Sequence, residues 1–155
     1  MTTLKTLVLF ISGMVVIILD QFLKFYITKI PDSGIFVVSQ HNFKLILQPT
    51  ANPYIAFGLK LPEWLIFSLV IVFLGLLVYL LIRAIKENKF ATSLIITLLI
   101  SGAVANLIDR LCYGHIIDFI SIWFYNFHWA IFNMADAIIV LSALALIYLE
   151  IKPSS

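Results

Sequence analysis

Two aspartates stand where an apolar sequence should exclude them. Asp118 lies within His115-Ile-Ile-Asp-Phe-Ile120, and Asp136 within Ile131-Phe-Asn-Met-Ala-Asp-Ala-Ile-Ile139. An ionised side chain facing lipid costs at least ~2.5–3.5 kcal/mol by insertion scales, so such residues turn inward and mark functional sites. Two carboxyls meeting in a low-dielectric site do not both ionise easily. One then holds a proton near neutral pH while the other stays charged, which makes a general acid and a general base from one residue type. Asn133, three residues before Asp136, reads as a member of that site or as glue between helices. The second isolated acid just upstream weakens the glue reading.

The remaining polar residues divide into clusters and singles. Asp20 and Lys24 are four apart near the end of an apolar run, so they share a helix face and can pair. That pair makes both residues tolerable near the interface, and the same geometry could support a site. Asn106, Asp109 and Arg110 also share a face. A polar interfacial helix end, with Arg110 snorkelling to headgroups, explains Asp109 better than catalysis does. Arg110 could still organise carboxylates or a phosphate headgroup. His41, His115 and His128 match no zinc spacing and read as surface or hydrogen-bonding residues. No Ser-based nucleophile motif stands out. Cys112, the single cysteine, excludes an internal disulfide and multi-cysteine metal sites. Trp64, Trp123, Phe124, Tyr125 and Trp129 read as an interfacial aromatic belt.

The elements that must hold these residues belong to a membrane. The chain has 155 residues, 63% hydrophobic and 12% charged, with mean hydropathy +1.10; a soluble domain is about half apolar and a quarter charged. A formal charge of +2 is too small to argue for a nucleic-acid partner, and no basic stripe exists; none is expected. Four stretches are long enough to span a bilayer, at about 6–27, 64–85, 90–108 and 129–151. The first carries only Lys5 in its leading region and no small-residue cleavage site follows it, so it reads as a retained span. Arg83, Lys86 and Lys89 lie in the connection between the second and third spans, with Lys5 and Lys152 near the two ends. Lys/Arg bias then places both termini and that loop in the cytoplasm, with 28–62 and 109–128 outside. In the outer segment 31–61, Ile35-Phe-Val-Val38 and Phe43-Lys-Leu-Ile-Leu47 flank a turn-like Ser39-Gln-His-Asn42 and predict a hairpin. Asn52-Pro53 breaks regular structure before the apolar Ile55-Ala-Phe-Gly58. The expectation is one integral-membrane domain over 1–155: an all-α membrane protein of four transmembrane helices with a small extracytoplasmic β-sheet platform.

Five blocks in this order resemble the lipoprotein signal peptidase (signal peptidase II) family: Asp20-Gln-Phe-Leu-Lys24, Asn52-Pro-Tyr-Ile-Ala-Phe-Gly58, Asn106-Leu-Ile-Asp-Arg110, Gly114-His-Ile-Ile-Asp-Phe119 and Phe132-Asn-Met-Ala-Asp136. Any one is weakly specific; five in sequence, over nearly the whole chain, are strongly so. The resemblance implies an aspartic endopeptidase of the bacterial inner membrane, removing signal peptides from prolipoproteins just before a diacylglyceryl-modified cysteine. It implies Asp118 and Asp136 as the catalytic dyad, and Asn52, Asn106, Arg110 and Asn133 as substrate-binding or site-shaping residues. Asp20 and Lys24 would support them, with Asp109 beside them. It implies no cofactor and no metal, membrane lipids as surroundings, a monomer, an active site near the outer face, and inhibition by globomycin-like cyclic peptides.

The chain departs from the family pattern in the outer-loop motif and in Ser101-Gly-Ala-Val-Ala105, where the family usually reads Gly-Gly-x-x-Gly. Tyr54 and Ala105 stand where the family usually has Gly, and a Gly-type φ > 0 at Tyr54 would be strained. Two rival functions fit intramembrane acids. A small proton-coupled transporter needs a polar pathway reaching both faces, whereas the polar residues here cluster toward one end. A non-catalytic subunit would use its Asp and Asn residues only to bind partner helices.

Overall fold

A backbone surrounded by hydrocarbon must satisfy its own hydrogen bonds, so the apolar runs fold as helices. The computed structural model describes residues 1–54 and 59–151. Its helices are α1 (Thr3–Ile27), α2 (Glu63–Lys86), α3 (Phe90–Tyr113) and α4 (Met134–Ile151). All four are long and apolar enough to cross a membrane. Helix α3 runs past the expected end at Ile108, because Asp109 and Arg110 are buried by their partners instead of marking an interfacial end. It stops at Gly114, whose φ of 76° is the left-handed conformation glycine adopts freely, with its N–H donating to Arg110 O at 3.0 Å. Helix α4 starts at Met134 and not near Trp129, since the intervening residues are extended and bonded to a strand.

The bundle reverses the pattern of a soluble protein. Phe10, Ile18, Val72 and Leu141 are exposed on its outside, while Asp20, Lys24, Asp109 and Asn133 are buried within. Helix α3 lies at the centre, packed against α1, α2 and α4. Leu77, Ala84, Ile96 and Leu99 form the apolar core between α2 and α3. At Gly102 a Cβ would come within 2.8 Å of Ala135 O, so the missing side chain lets α4 approach α3 closely. That contact fixes the start of α4 against α3.

At the end of the bundle where α1 and α3 finish lies an antiparallel sheet of order β1-β2-β3-β4: β1 (Ile35–Gln40), β2 (Phe43–Asn52), β3 (Ile116–Phe124) and β4 (Phe127–His128). The predicted hairpin is β1–β2, with β2 running five residues beyond Leu47 to Asn52. Strand β3 was not anticipated. Its alternation of one face with another was masked because nearly every residue in it is apolar. The α2–α3 pair returns the chain so that β3 lies directly beside β2, with Thr50 opposite Asp118 and Asn52 opposite Ile116. A register shift between Leu47 and Thr50 accommodates Pro49, which has no N–H to give the ladder. The expected apolar run Ile55–Gly58, and Lys152 of the charge-bias argument, lie outside the described residues.

Candidate active site

Strand β3 carries Asp118 toward the bundle. The residue is 2% exposed, and each of its carboxyl oxygens accepts one amide. Asn52 Nδ2 donates to Oδ2 at 2.7 Å and Asn133 Nδ2 to Oδ1 at 2.8 Å. Asn52 reaches it because residues diagonal across an antiparallel pair share a face. Burial pushes the Asp118 carboxyl up to about 6; the Asn52 amide opposes this, the Asp136 charge adds to it, and Asn133 and Lys24 oppose it. An acid poised there changes charge close to physiological pH.

Asp136 is held by the start of its own helix. Asn133 is the residue before Met134, and its Oδ1 accepts the Asp136 N–H at 2.8 Å while Asp136 Oδ2 accepts the Asn133 N–H at 3.2 Å. This reciprocal exchange is a capping box, here built from Asn and Asp. It leaves Asp136 in the first turn of α4. Asn106 Nδ2 donates to the other oxygen, Oδ1, at 2.7 Å. Asp136 is half-buried where Asp118 is closed in, so the pair opens on the Asp136 side.

Behind the two acids lies a buried ion cluster. Lys24 Nζ lies 2.6 Å from Asp20 Oδ2 and 2.7 Å from Asp109 Oδ2, all three side chains being fully enclosed. It also donates to Asn106 Oδ1 at 3.1 Å. An ammonium only donates, so Lys24 fixes which end of the Asn106 amide faces it, and the NH₂ must face Asp136. Asn133 Nδ2 completes the acceptor at 3.1 Å. Because the Asp136 N–H fixes the Asn133 oxygen in the same way, both amides have one permitted orientation. Asp20 Oδ1 accepts the Ala135 N–H at 2.9 Å, satisfying another donor at the start of α4. Asp109 further accepts Gln21 Nε2 at 2.8 Å and the Ile117 N–H at 3.1 Å, tying α1 and α3 to β3.

The structure thus brings Asn52, Asn106, Asp118, Asn133 and Asp136 into one network, with Lys24 and Asp20 bracing it. Three expectations change. Asp109 is not at a solvated helix end but fully buried in an ion cluster. Arg110 does not snorkel: it is 9% exposed and its Nη2 donates to Tyr54 O at 2.6 Å. Tyr54 is not strained, since Asn88 and Tyr125 are the described non-glycine residues with positive φ. It serves through its backbone, the N–H donating to Asn52 Oδ1 at 3.0 Å, and any residue type supplies that bond. Gln21 was missed; its spacing of three from Lys24 placed it on the same face. The expected span 129–151 puts Asn133-x-x-Asp136 inside a helix, whereas the same spacing fits the cap found at its start. His128 bonds Ser121 Oγ at 2.9 Å and stacks on Trp123, away from these residues. Among the described residues no group of acids, histidines and cysteines is arranged to hold a metal ion.

Residues 12–152 match the sequence profile described as signal peptidase (SPase) II, of peptidase type A8. The chain belongs to that family. It is therefore an aspartic-type signal peptidase by membership, and a multi-pass bacterial membrane enzyme. Similar proteins named lipoprotein signal peptidase include that of Cupriavidus necator, 33% identical with 90% of this chain and 81% of the relative covered. That of Syntrophus aciditrophicus is 31% identical, with 92% of both chains covered. A solved bacterial membrane enzyme superposes with a TM-score of 0.78 at 28% identity, covering 95% of this chain and 94% of that one. A second such structure, 22% identical with a TM-score of 0.73, shares the fold.

Proposed function

We propose that this signal peptidase hydrolyses prolipoproteins on the amino side of a diacylglyceryl-modified cysteine, with Asp118 and Asp136 as its catalytic pair. The relatives' shared name, lipoprotein signal peptidase, supports the substrate class. The observation that carries the mechanism is Asn133, which donates to Asp118 and exchanges bonds with Asp136, holding both acids on one residue. In this reading the two carboxyls share one proton. The ionised one takes a proton from water as the hydroxide adds to the scissile carbonyl carbon. The protonated one donates to the carbonyl oxygen, and collapse breaks the C–N bond as the leaving amine gains a proton. Each carboxyl oxygen already accepts one N–H, so the donors fix the carboxyl planes without using every lone pair.

The orientation reading puts the sheet and the acids on the outer face and the Arg83–Lys89 loop in the cytoplasm. A peptide whose lipid stays in the outer leaflet then meets the acids at the interface. The test uses oriented proteoliposomes and mass spectrometry of the products. A peptide carrying diacylglyceryl-cysteine, offered on the sheet side, should be cut once, before that cysteine; the unmodified peptide should be cut far more slowly. Cutting elsewhere, or equal cutting of both peptides, contradicts the reading.

A further inference from the structure

An apolar groove of about 350 Å³ lies on the sheet, walled by Ile122, Phe124, Phe127, Trp129 and Phe132. Residues alternate between faces of a strand, so Asp118, Ile120, Ile122 and Phe124 of β3 share one face. The register extends that face across the sheet. Phe127 stands opposite Phe124, Trp129 donates its N–H to Ile122 O at 2.9 Å, and Phe132 bridges Ile120. The groove therefore begins beside the acids and runs away from them: Phe132 directly precedes Asn133, and Ile122 is about 13 Å along the strand from Asp118. Phe124, Phe127 and Trp129 are more than half exposed, so it is open along its length.

We propose that this groove seats one acyl chain of the lipidated substrate, a reading that rests on the function proposed above. Its chemistry selects hydrocarbon over peptide. Trp129 Nε1 is the one polar side-chain atom in its walls, and the β3 backbone beneath it is paired at Ile120 and at the Ile122 C=O. The Ile120 N–H and C=O bond Phe132, and the Ile122 C=O bonds Trp129. A peptide laid over the Ile120–Phe124 side chains would find no polar partner there except Trp129 Nε1, leaving most of its N–H and C=O groups unsatisfied. An acyl chain has none to satisfy and gains from every buried methylene. The geometry fits as well: a glyceryl ester on the cysteine sulfur starts its acyl chain several bonds from the scissile carbonyl, and the groove starts next to the acids. A volume of about 350 Å³ falls within the usual range for small-ligand sites.

The test compares cleavage of peptides whose cysteine carries diacylglyceryl with hexadecanoyl, dodecanoyl or octanoyl chains. Wild-type kcat/KM should fall by at least ~10-fold from the longest to the shortest, through KM. Ile122→Trp, which fills the groove, should remove most of that dependence while leaving kcat on the octanoyl substrate unchanged. Trp129→Ala, at an exposed wall, should weaken it without risk to the fold. Equal losses at every chain length, or no change in either variant, overturn the proposal. So does a dependence that follows the acyl length of the host bilayer, which would assign the groove to a membrane lipid. A wild type that cuts none of these peptides contradicts the cleavage reading itself, an outcome distinct from flat chain-length dependence with active enzyme.

Discussion

At the level of single residues, the site is built from amides that meet carboxyls. Asn52 Nδ2, 2.7 Å from Asp118 Oδ2, stabilises the ionised form of a carboxyl that burial has raised to about 6. Hydrogen bonds to charged groups contribute roughly 1.5–3 kcal/mol, or about one to two pH units. Asn52→Ala withdraws that stabilisation from the anion, so protonation persists to higher pH. The acid limb of the kcat/KM profile should move upward by about that amount, and an unmoved limb would show that Asp118 does not govern it. Folding energetics carry the same sign. A carboxyl whose native value lies above its ordinary 3.8 favours the folded state fully below that pH, and the contribution is lost as pH rises through about 6. Asp118 and Asp136 were legible because an acid in an apolar run is costly wherever it sits. The burial of Asp109 and Arg110 was not, because their partners Lys24, Gln21 and Tyr54 are far away in sequence.

At the element scale, the site depends on how α1, α3, β3 and α4 are joined. The capping box sets Asp136 on α4, the β2–β3 pairing sets Asp118 against Asn52, and the Asp20–Lys24–Asp109 cluster locks α1 to α3 behind them. Asp20 also accepts the Ala135 N–H, so it braces the start of α4 without touching either candidate acid. Asp20→Asn should therefore lower thermal stability in detergent, by roughly 1–3 kcal/mol for a buried group left badly paired. Turnover per folded molecule should change little. Full stability with abolished turnover would show that Asp20 belongs to the chemistry. The helices were legible from length and hydropathy alone. Strand β3 was not, because a strand apolar on both faces carries no alternation to mark it as a strand. The late start of α4 escaped for a related reason: nothing in composition separates the extended residues 129–133 from the helix that follows.

At the scale of the whole molecule, an apolar exterior surrounds buried charged and amide side chains gathered at one end of four helices. That gathering disfavours a transport pathway, which needs polar groups toward both faces, and suits chemistry at an interface. The sheet adds what the helices lack: a rigid strand to carry one acid, an amide to hold it, and an apolar face leading away from it. The topology supports a single convergence, in which a strand residue and a helix residue distant from Asn52, Asn106 and Lys24 in sequence meet through Asn133. The most direct test is cleavage of a diacylglyceryl-cysteine peptide by purified enzyme, beside Asp118→Asn and Asp136→Asn proteins shown to be folded by thermal melting. Each variant should lose roughly 10²–10⁴-fold in turnover. A folded Asp118→Asn or Asp136→Asn protein that cuts at the parent rate contradicts the assignment of the pair.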